Sequence, residues 1–217
     1  MTGRERLKIA IATLAAGLLP GASALAEEGF YSGFFGGMAM VDMGSKASLE
    51  ELYLGDLALD SSSLDDTDPA YGVQVGYRWN SYIAAEVGYV NLGEGVYEAE
   101  LSALPIEFGA RFRSTGPTAS VLGTLPAGEH FEFHGRIGAY YADTRYRERL
   151  VDLQTGEEFS IEFDGNSIDA FAGIGAAWNI NASYALRVEY QRFFDVGDDD
   201  ETPETDVDLL MFGVLFR

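Results

Sequence analysis

The reading turns on the stretch Asp206–Arg217, DVDLLMFGVLFR, which ends almost on an aromatic residue. Leu210, Phe212, Val214 and Phe216 fall on one face at period two. Leu209, Met211, Gly213 and Leu215 fall on the other, as in a β-strand. A water-soluble sheet rarely ends its chain on an exposed phenylalanine. A strand whose outer face meets lipid has no such difficulty, so the closing strand points to a membrane barrel.

The opposite end agrees. Arg4, Arg6 and Lys8 precede an apolar run, Ile9–Leu19, that Pro20 and Gly21 interrupt. Ala24-Leu25-Ala26 then offers an A-x-A cleavage site before Glu27. The run is well short of the roughly 20 residues of a spanning helix. Residues 1–26 are therefore expected to be a cleaved export signal, and 27–217 one barrel domain.

Composition narrows the class. The chain has no cysteine, so an exported form lacks disulfide staples and thiol chemistry. It carries 26 glycines, 14 phenylalanines and 12 tyrosines, which suits a tightly curved sheet facing lipid. A formal charge of −21 argues against nucleic acid, since phosphate binding needs clustered Lys and Arg. Past residue 26 no apolar stretch approaches the length of a transmembrane helix.

Eight segments have strand patterning: Phe30–Val41, Tyr71–Trp79, Tyr82–Leu92, Tyr97–Arg113, His130–Tyr146, Ile168–Trp178, Tyr184–Phe194 and the closing strand. Residues 42–69 read as an acidic loop, Asn80-Ser81 as a tight turn, and 147–167 as an acidic excursion with a hairpin about Thr155-Gly156. The weakest part is 114–129, where only Ser120–Leu125 suggests a short strand. Long and short connections otherwise alternate, as in an all-β, eight-stranded antiparallel up-and-down transmembrane barrel with long external loops and short periplasmic turns.

Two features place the apolar face outward. Lumenal-type charges are flanked by Gly and Ala (Glu86 before Gly88, Gly109 before Arg111, Arg136 before Gly138), which suits a crowded interior. Aromatics gather at strand ends on the apolar face (Phe30, Tyr71, Tyr77, Trp79, Trp178, Tyr184, Tyr190), as interfacial girdles require. The interior set is then Arg78, Glu86, Glu107, Arg111, Glu132, His134, Arg136, Asp169, Arg187 and Glu189. Buried charges must be paired, so this set forms either an ionic plug or a gate whose pairs exchange partners and open a narrow conductance.

IDAFAGIGAAWNINASYALRVEYQRFFDVGD, residues 168–198, resembles the penultimate hairpin of the OmpA-type transmembrane barrel family. The family's "lR-x-EYq … d-x-Gd" strand appears as Leu186-Arg187, Glu189-Tyr190-Gln191 and Asp195-Val196-Gly197-Asp198. YGVQVGYRWNSYIAAEVGYVNLG, residues 71–93, resembles the family's second and third strands. The closing Leu210, Phe212, Val214 and Phe216 resemble the signal read by the barrel-assembly machinery, although Arg217 follows the aromatic. The resemblance implies handling by periplasmic chaperones and a monomer among outer-membrane lipids and lipopolysaccharide of a Gram-negative envelope. It implies a structural or surface role, with a small-solute pore as the alternative and an adhesin behind it. No peptidoglycan-binding domain follows the closing strand, so a wall-anchoring role is not carried over.

A lipid A-modifying enzyme is disfavoured. The two histidines, His130 and His134, sit at the periplasmic start of their strand, and no G-x-S-x-G elbow is present. No cofactor is expected. The acidic loop with Asp198, Asp199, Asp200 and Glu201 reads as a solvated surface; its alternative is a divalent-cation site, without EF-hand spacing.

Overall fold

A computed structural model describes residues 28–42, 59–101, 106–198 and 204–217. Nine antiparallel strands form one sheet: β1 (Gly29–Val41), β2 (Leu59–Asp65), β3 (Thr67–Asn80), β4 (Ile83–Leu101), β5 (Ile106–Ala127), β6 (Phe131–Asp152), β7 (Glu158–Asn179), β8 (Tyr184–Val196) and β9 (Thr205–Phe216). Eight close a ring, because β4 pairs β5 and β1 pairs β9. The ninth, β2, pairs the end of β4 on the side that β3 takes along the rest of that strand, so it continues the line of β3 beyond the eight-stranded ring. Residues 1–26, where the export signal falls, lie outside the described residues.

The sequence expectation needs three corrections. Tyr97–Arg113 is not one strand, since Tyr97 to Leu101 finishes β4 and Ile106 begins β5. The weak segment 114–129 is the lower half of β5, with Ser114, Ser120, Leu122 and Thr124 inward and Pro117, Ala119, Val121 and Leu125 outward. Its outer face mixes Pro, Ala and Gly with the larger residues, so its alternation is shallow. Residues 42–69 are not all loop, because they contain β2 and the start of β3.

With β5 complete, successive connections around the ring alternate between its two ends, but they do not alternate in length. The links from β4 to β5 (102–105) and from β6 to β7 (153–157) are about as short as 180–183, because the strands themselves run on past the expected loops. The short turns at 81–82, 128–130 and 180–183 share one end with the start of β1 and the end of β9. Asn80 and Asn181 fix two of them, each Oδ1 accepting from backbone N–H groups two and three residues on. At the other end, Asp152 Oδ1 accepts from Gln154 N and Thr155 N in the β6–β7 turn. Those bonds, that from Thr155 first, hold its carboxyl below the usual range.

The polarity of the wall changes along its height. Near the short turns the outer face is apolar, with an aromatic ring formed by Phe30, Trp79, Tyr82, Phe131, Trp178, Tyr184 and Phe216. Tyr71, Tyr89 and Tyr141 form a second ring higher up. Eight residues separate the rings on β3 and ten on β6, which at the tilt of a barrel strand gives about 20–25 Å of height. That is the thickness of an outer-membrane hydrocarbon band.

Above the second ring the faces exchange character without a change of register. On β6, His134 and Arg136 point inward below, and Tyr140, Ala142 and Tyr146 point inward above. Phe131, Ile137 and Tyr141 point outward below, and Arg145, Arg147 and Arg149 above. Strands β5, β6 and β7 are each 22 residues long, about 70 Å extended and far beyond what a bilayer crossing needs. Their upper halves stand in water, so the outer face is charged and the inner face carries the apolar core of Val90, Leu92, Tyr97, Phe108, Phe112, Tyr140, Phe171, Phe193 and Leu209.

Ile137, 71% exposed at mid-band, should not tolerate charge. Ile137→Arg should cost about 2–4 kcal/mol of folding free energy in vesicles, and Arg147→Ala less than about 1 kcal/mol. Urea unfolding followed by tryptophan fluorescence measures both. Equal costs would remove the membrane band from this height.

Candidate functional site: the ionic core of the barrel

Three carboxylates and three guanidiniums are buried inside the lower barrel: Glu86, Glu132, Glu189, Arg78, Arg136 and Arg187. Each stands on an inward position of its strand, with its neighbours in sequence facing lipid. Glu86 on β4 occupies the centre. Its Oε1 accepts from Tyr31 Oη at 2.6 Å and Arg187 Nη1 at 2.8 Å, and its Oε2 from Arg136 Nη2 at 2.5 Å.

Arg136 is shared. Its Nε lies 2.5 Å from Glu189 Oε1 and its Nη2 3.1 Å from Glu189 Oε2. His134 Nε2 is 3.0 Å from the same oxygen, and Gln191 Nε2 donates to Glu189 Oε1 at 2.9 Å. Gln74 links the layer, with its amide oxygen 2.9 Å from Arg187 Nη1 and its nitrogen 3.3 Å from Glu86 Oε2 in the orientation that satisfies both.

Glycine makes room for these groups. A Cβ on Gly76 would stand 2.4 Å from the Tyr31 ring and 2.9 Å from Glu86 Cγ; one on Gly175 would meet His134 at 2.7 Å. The wall is bare where the side chains opposite are long.

A second layer lies nearer the short turns. Arg78 makes a two-pronged contact with Glu132, Nη1 to Oε2 at 3.1 Å and Nη2 to Oε1 at 2.9 Å. Arg217 joins it: its side chain is only 11% exposed and its Nη2 donates to Glu132 Oε1 at 3.3 Å. The residue beyond the terminal aromatic thus turns back into the mouth of the barrel, and its backbone N–H donates to Ser183 O at 3.0 Å. Sequence patterning gave no reason to include Arg217, Tyr31, Gln74 or Gln191, because none is a mid-strand charge.

Two predicted members do not face the lumen. Arg111 is exposed on the outer face and approaches Glu94 at 3.6 Å, while Glu107 is half-buried on the same outward series. Their inward neighbours are Phe108, Ala110 and Phe112, the reverse of the expected facing. The cause is height, because both stand where the outer face is wet. Asp169 does point inward but stands apart, its Oδ2 accepting from Ser167 Oγ at 2.8 Å.

His130, in a short turn, places Nδ1 3.2 Å from Asn179 O, so neither histidine is near the upper rim. Of the acidic loop, Asp198 is described and Asp199, Asp200 and Glu201 lie outside the described residues; among the described residues no group of His, Cys, Asp and Glu is arranged to hold a metal ion. Leu210, Phe212, Val214 and Phe216 all point outward, with Phe216 edge-on to Tyr184 at 5.5 Å.

A closed eight-stranded ring with a lipid-facing belt and an ionic interior defines an outer-membrane β-barrel. The chain belongs to the OmpA-like transmembrane domain family, which it matches over residues 25–217. It is 29% identical to outer membrane protein A of Escherichia fergusonii over 167 residues, 73% of this chain and 44% of that protein. To the Serratia marcescens protein of the same name it is 24% identical over 154 residues, 67% of this chain and 38% of that one. The chain therefore spans less than half the length of these relatives. Among solved structures it is similar to Neisserial surface protein A (17% identity, TM-score 0.49, covering 91% of this chain and 99% of that one) and to Ail, the attachment invasion locus protein of Yersinia pestis (16%, 0.48, 88% and 99%).

Removing one partner of a buried ion pair leaves the other charge uncompensated. Glu86→Gln or Arg136→Met should each destabilise the barrel by about 3–5 kcal/mol, whereas Glu162→Gln, in an exposed pair, should cost less than about 1 kcal/mol. Urea titration in lipid vesicles measures the difference, and a cost at Glu86 as small as at Glu162 would contradict the pairing.

Proposed function

We propose that the chain is a structural, surface-presenting barrel of the outer membrane whose lumen is closed to solutes. The observation that carries this reading is the succession of two plugs along one axis. Below is the ionic core. Above it Phe171 and Phe193 stack at 4.9 Å, with Tyr140 edge-on to Phe193 at 5.2 Å. A solute would have to break paired charges and then a dry apolar layer. Holding the β5–β6–β7 hairpins rigidly above the membrane is what such a solid wall does best.

The outward row Leu210, Phe212, Val214 and Phe216 serves, on this reading, as the segment read by the assembly machinery. The barrel works as a monomer among outer-membrane lipids and performs no catalysis. The histidines support that last point: one is tied to a turn carbonyl and the other to Glu189 in the plug.

One observation favours a second reading, a gated pore. Arg136 contacts Glu86 and Glu189 at once, so it has two partners between which to switch. Planar-bilayer recording separates the two. The closed barrel predicts no steady unit conductance from the wild-type protein. A steady conductance that changes with Glu86→Gln or Arg136→Gln would replace the plug with the gate.

A further inference from the structure

The upper wall is uneven in height, and this leaves one long strand edge bare. Strand β7 pairs with β8 only from Phe171 to Asn179, and β8 itself ends at Val196. From Glu158 to Ala170, β7 is paired with β6 on one side, and among the described residues no strand pairs its other side. Every residue from Glu158 to Asp164 is exposed, on both faces of the strand.

The register decides which backbone groups this edge offers. Asp152 N donates to Glu157 O at one end of the β6–β7 ladder, and Asn179 N donates to His130 O at the other. The ladder between them has no register shift, so the odd-numbered residues of β7 bond to β6. Even-numbered residues turn their N–H and C=O the other way. At the lower end, where β8 is present, Ile180 N accordingly donates to Tyr184 O. Glu158, Ser160, Glu162, Asp164, Asn166 and Ile168 therefore offer donors and acceptors to the unpaired side. Neither proline nor lysine blunts this edge, which makes it a template for a further strand.

The side chains select what pairs there. Phe159, Ile161 and Phe163 lie on the inner face and are 61%, 40% and 42% exposed, because the wall opposite ends lower. Leu150 and Tyr146 of β6 stand beside Phe159 and Phe163 in the same apolar row. Glu158, Ser160, Glu162 and Asp164 stand on the outer face. The outer face of the upper wall carries eight carboxylates, from Glu94 to Asp164, against five arginines. The ion pairs with Arg145, Arg147 and Arg149 leave that excess standing, and a carboxylate has room for several donors.

We infer that the upper edge of β7 binds an extended peptide in which Arg or Lys alternates with apolar residues. Its backbone continues the sheet, its apolar side chains cover Phe159, Ile161 and Phe163, and its cations meet Glu158, Glu162 and Asp164. A second copy of this chain fits poorly, since edge-to-edge pairing sets the carboxylate row against itself. The inference rests on the surface-presenting reading above and names the kind of partner that the wall presents.

Fluorescence anisotropy tests it on the full chain folded in a non-ionic detergent, with a short peptide of alternating Arg and Val as probe. The wild-type protein should bind this peptide at least about tenfold more tightly than one with the same Arg and Val in separate blocks. Ser160→Pro removes a donor on the open side and none that bonds to β6, so it should weaken binding at least about tenfold. Glu158→Gln/Asp164→Asn should weaken it by a similar factor, and Glu107→Gln, two strands from the edge, should leave it unchanged. Amides 160, 162 and 164 should exchange fast in the free protein and slowly with the alternating peptide bound. Slow exchange in the free protein would mean an edge already paired and would overturn the site. So would equal affinity for the blocked peptide, or undiminished binding by folded Ser160→Pro or by the carboxylate variant. Heat-modifiable gel migration reports on the barrel separately. Its absence from the wild type would contradict the barrel reading, and its presence without peptide binding would remove this site alone.

Discussion

The constraint on which the structure depends is that a pleated wall has only two faces, and the surroundings dictate the outer one. Lipid bathes the lower outer face, so Ile137 and its neighbours there are apolar and the inner positions take up the polar residues. Water bathes the upper outer face, so Arg145, Arg147 and Arg149 stand outside and the apolar residues move in. The chain needs no bulge on β6 to make this exchange. It rewrites its alternation at constant register, and the barrel becomes a membrane protein below and a water-soluble sheet above.

The ionic core follows from the lower half of that constraint. With Val, Ile and aromatic residues spent on the lipid face, the interior of a narrow ring must be filled by what remains. Long charged side chains fill it only when every charge is met, and here three carboxylates meet three guanidiniums, with Tyr31, Gln74, His134 and Gln191 adding hydrogen bonds to the carboxylates and to Arg187. Such pairs contribute little net stability relative to apolar filling, but breaking one is costly. They hold the wall to one arrangement. The apolar layer above then keeps the pairs away from external water.

Much of this was legible in the sequence. Strong alternation on β3, β8 and β9 fixed their facing, and Glu86, Arg136, Arg187 and Glu189 stand inward as their patterns indicate. Legibility failed where the physical surroundings change along a strand. Glu107 and Arg111 carry an inward pattern in the sequence because alternation marks a polar face and not the height at which that face stands. The lower half of β5 was faint because Pro117, Ala119 and Gly123 give its outer face little hydrophobic contrast. Arg217 looked like an overhang in one dimension, and only the ring brings it to Glu132.

The central claim is the exchange of faces on β6 between Tyr141 and Arg145. The chain has no cysteine, so single cysteines at 137, 139, 141, 143, 145 and 147 can carry spin labels without interference. In lipid vesicles, collision with oxygen reports hydrocarbon and collision with a soluble nickel chelate reports water. The labels at 137, 139 and 141 should favour oxygen, and those at 145 and 147 should favour the chelate, with the crossover at 143. Oxygen preference persisting through 147, or chelate preference beginning at 137, would contradict the account.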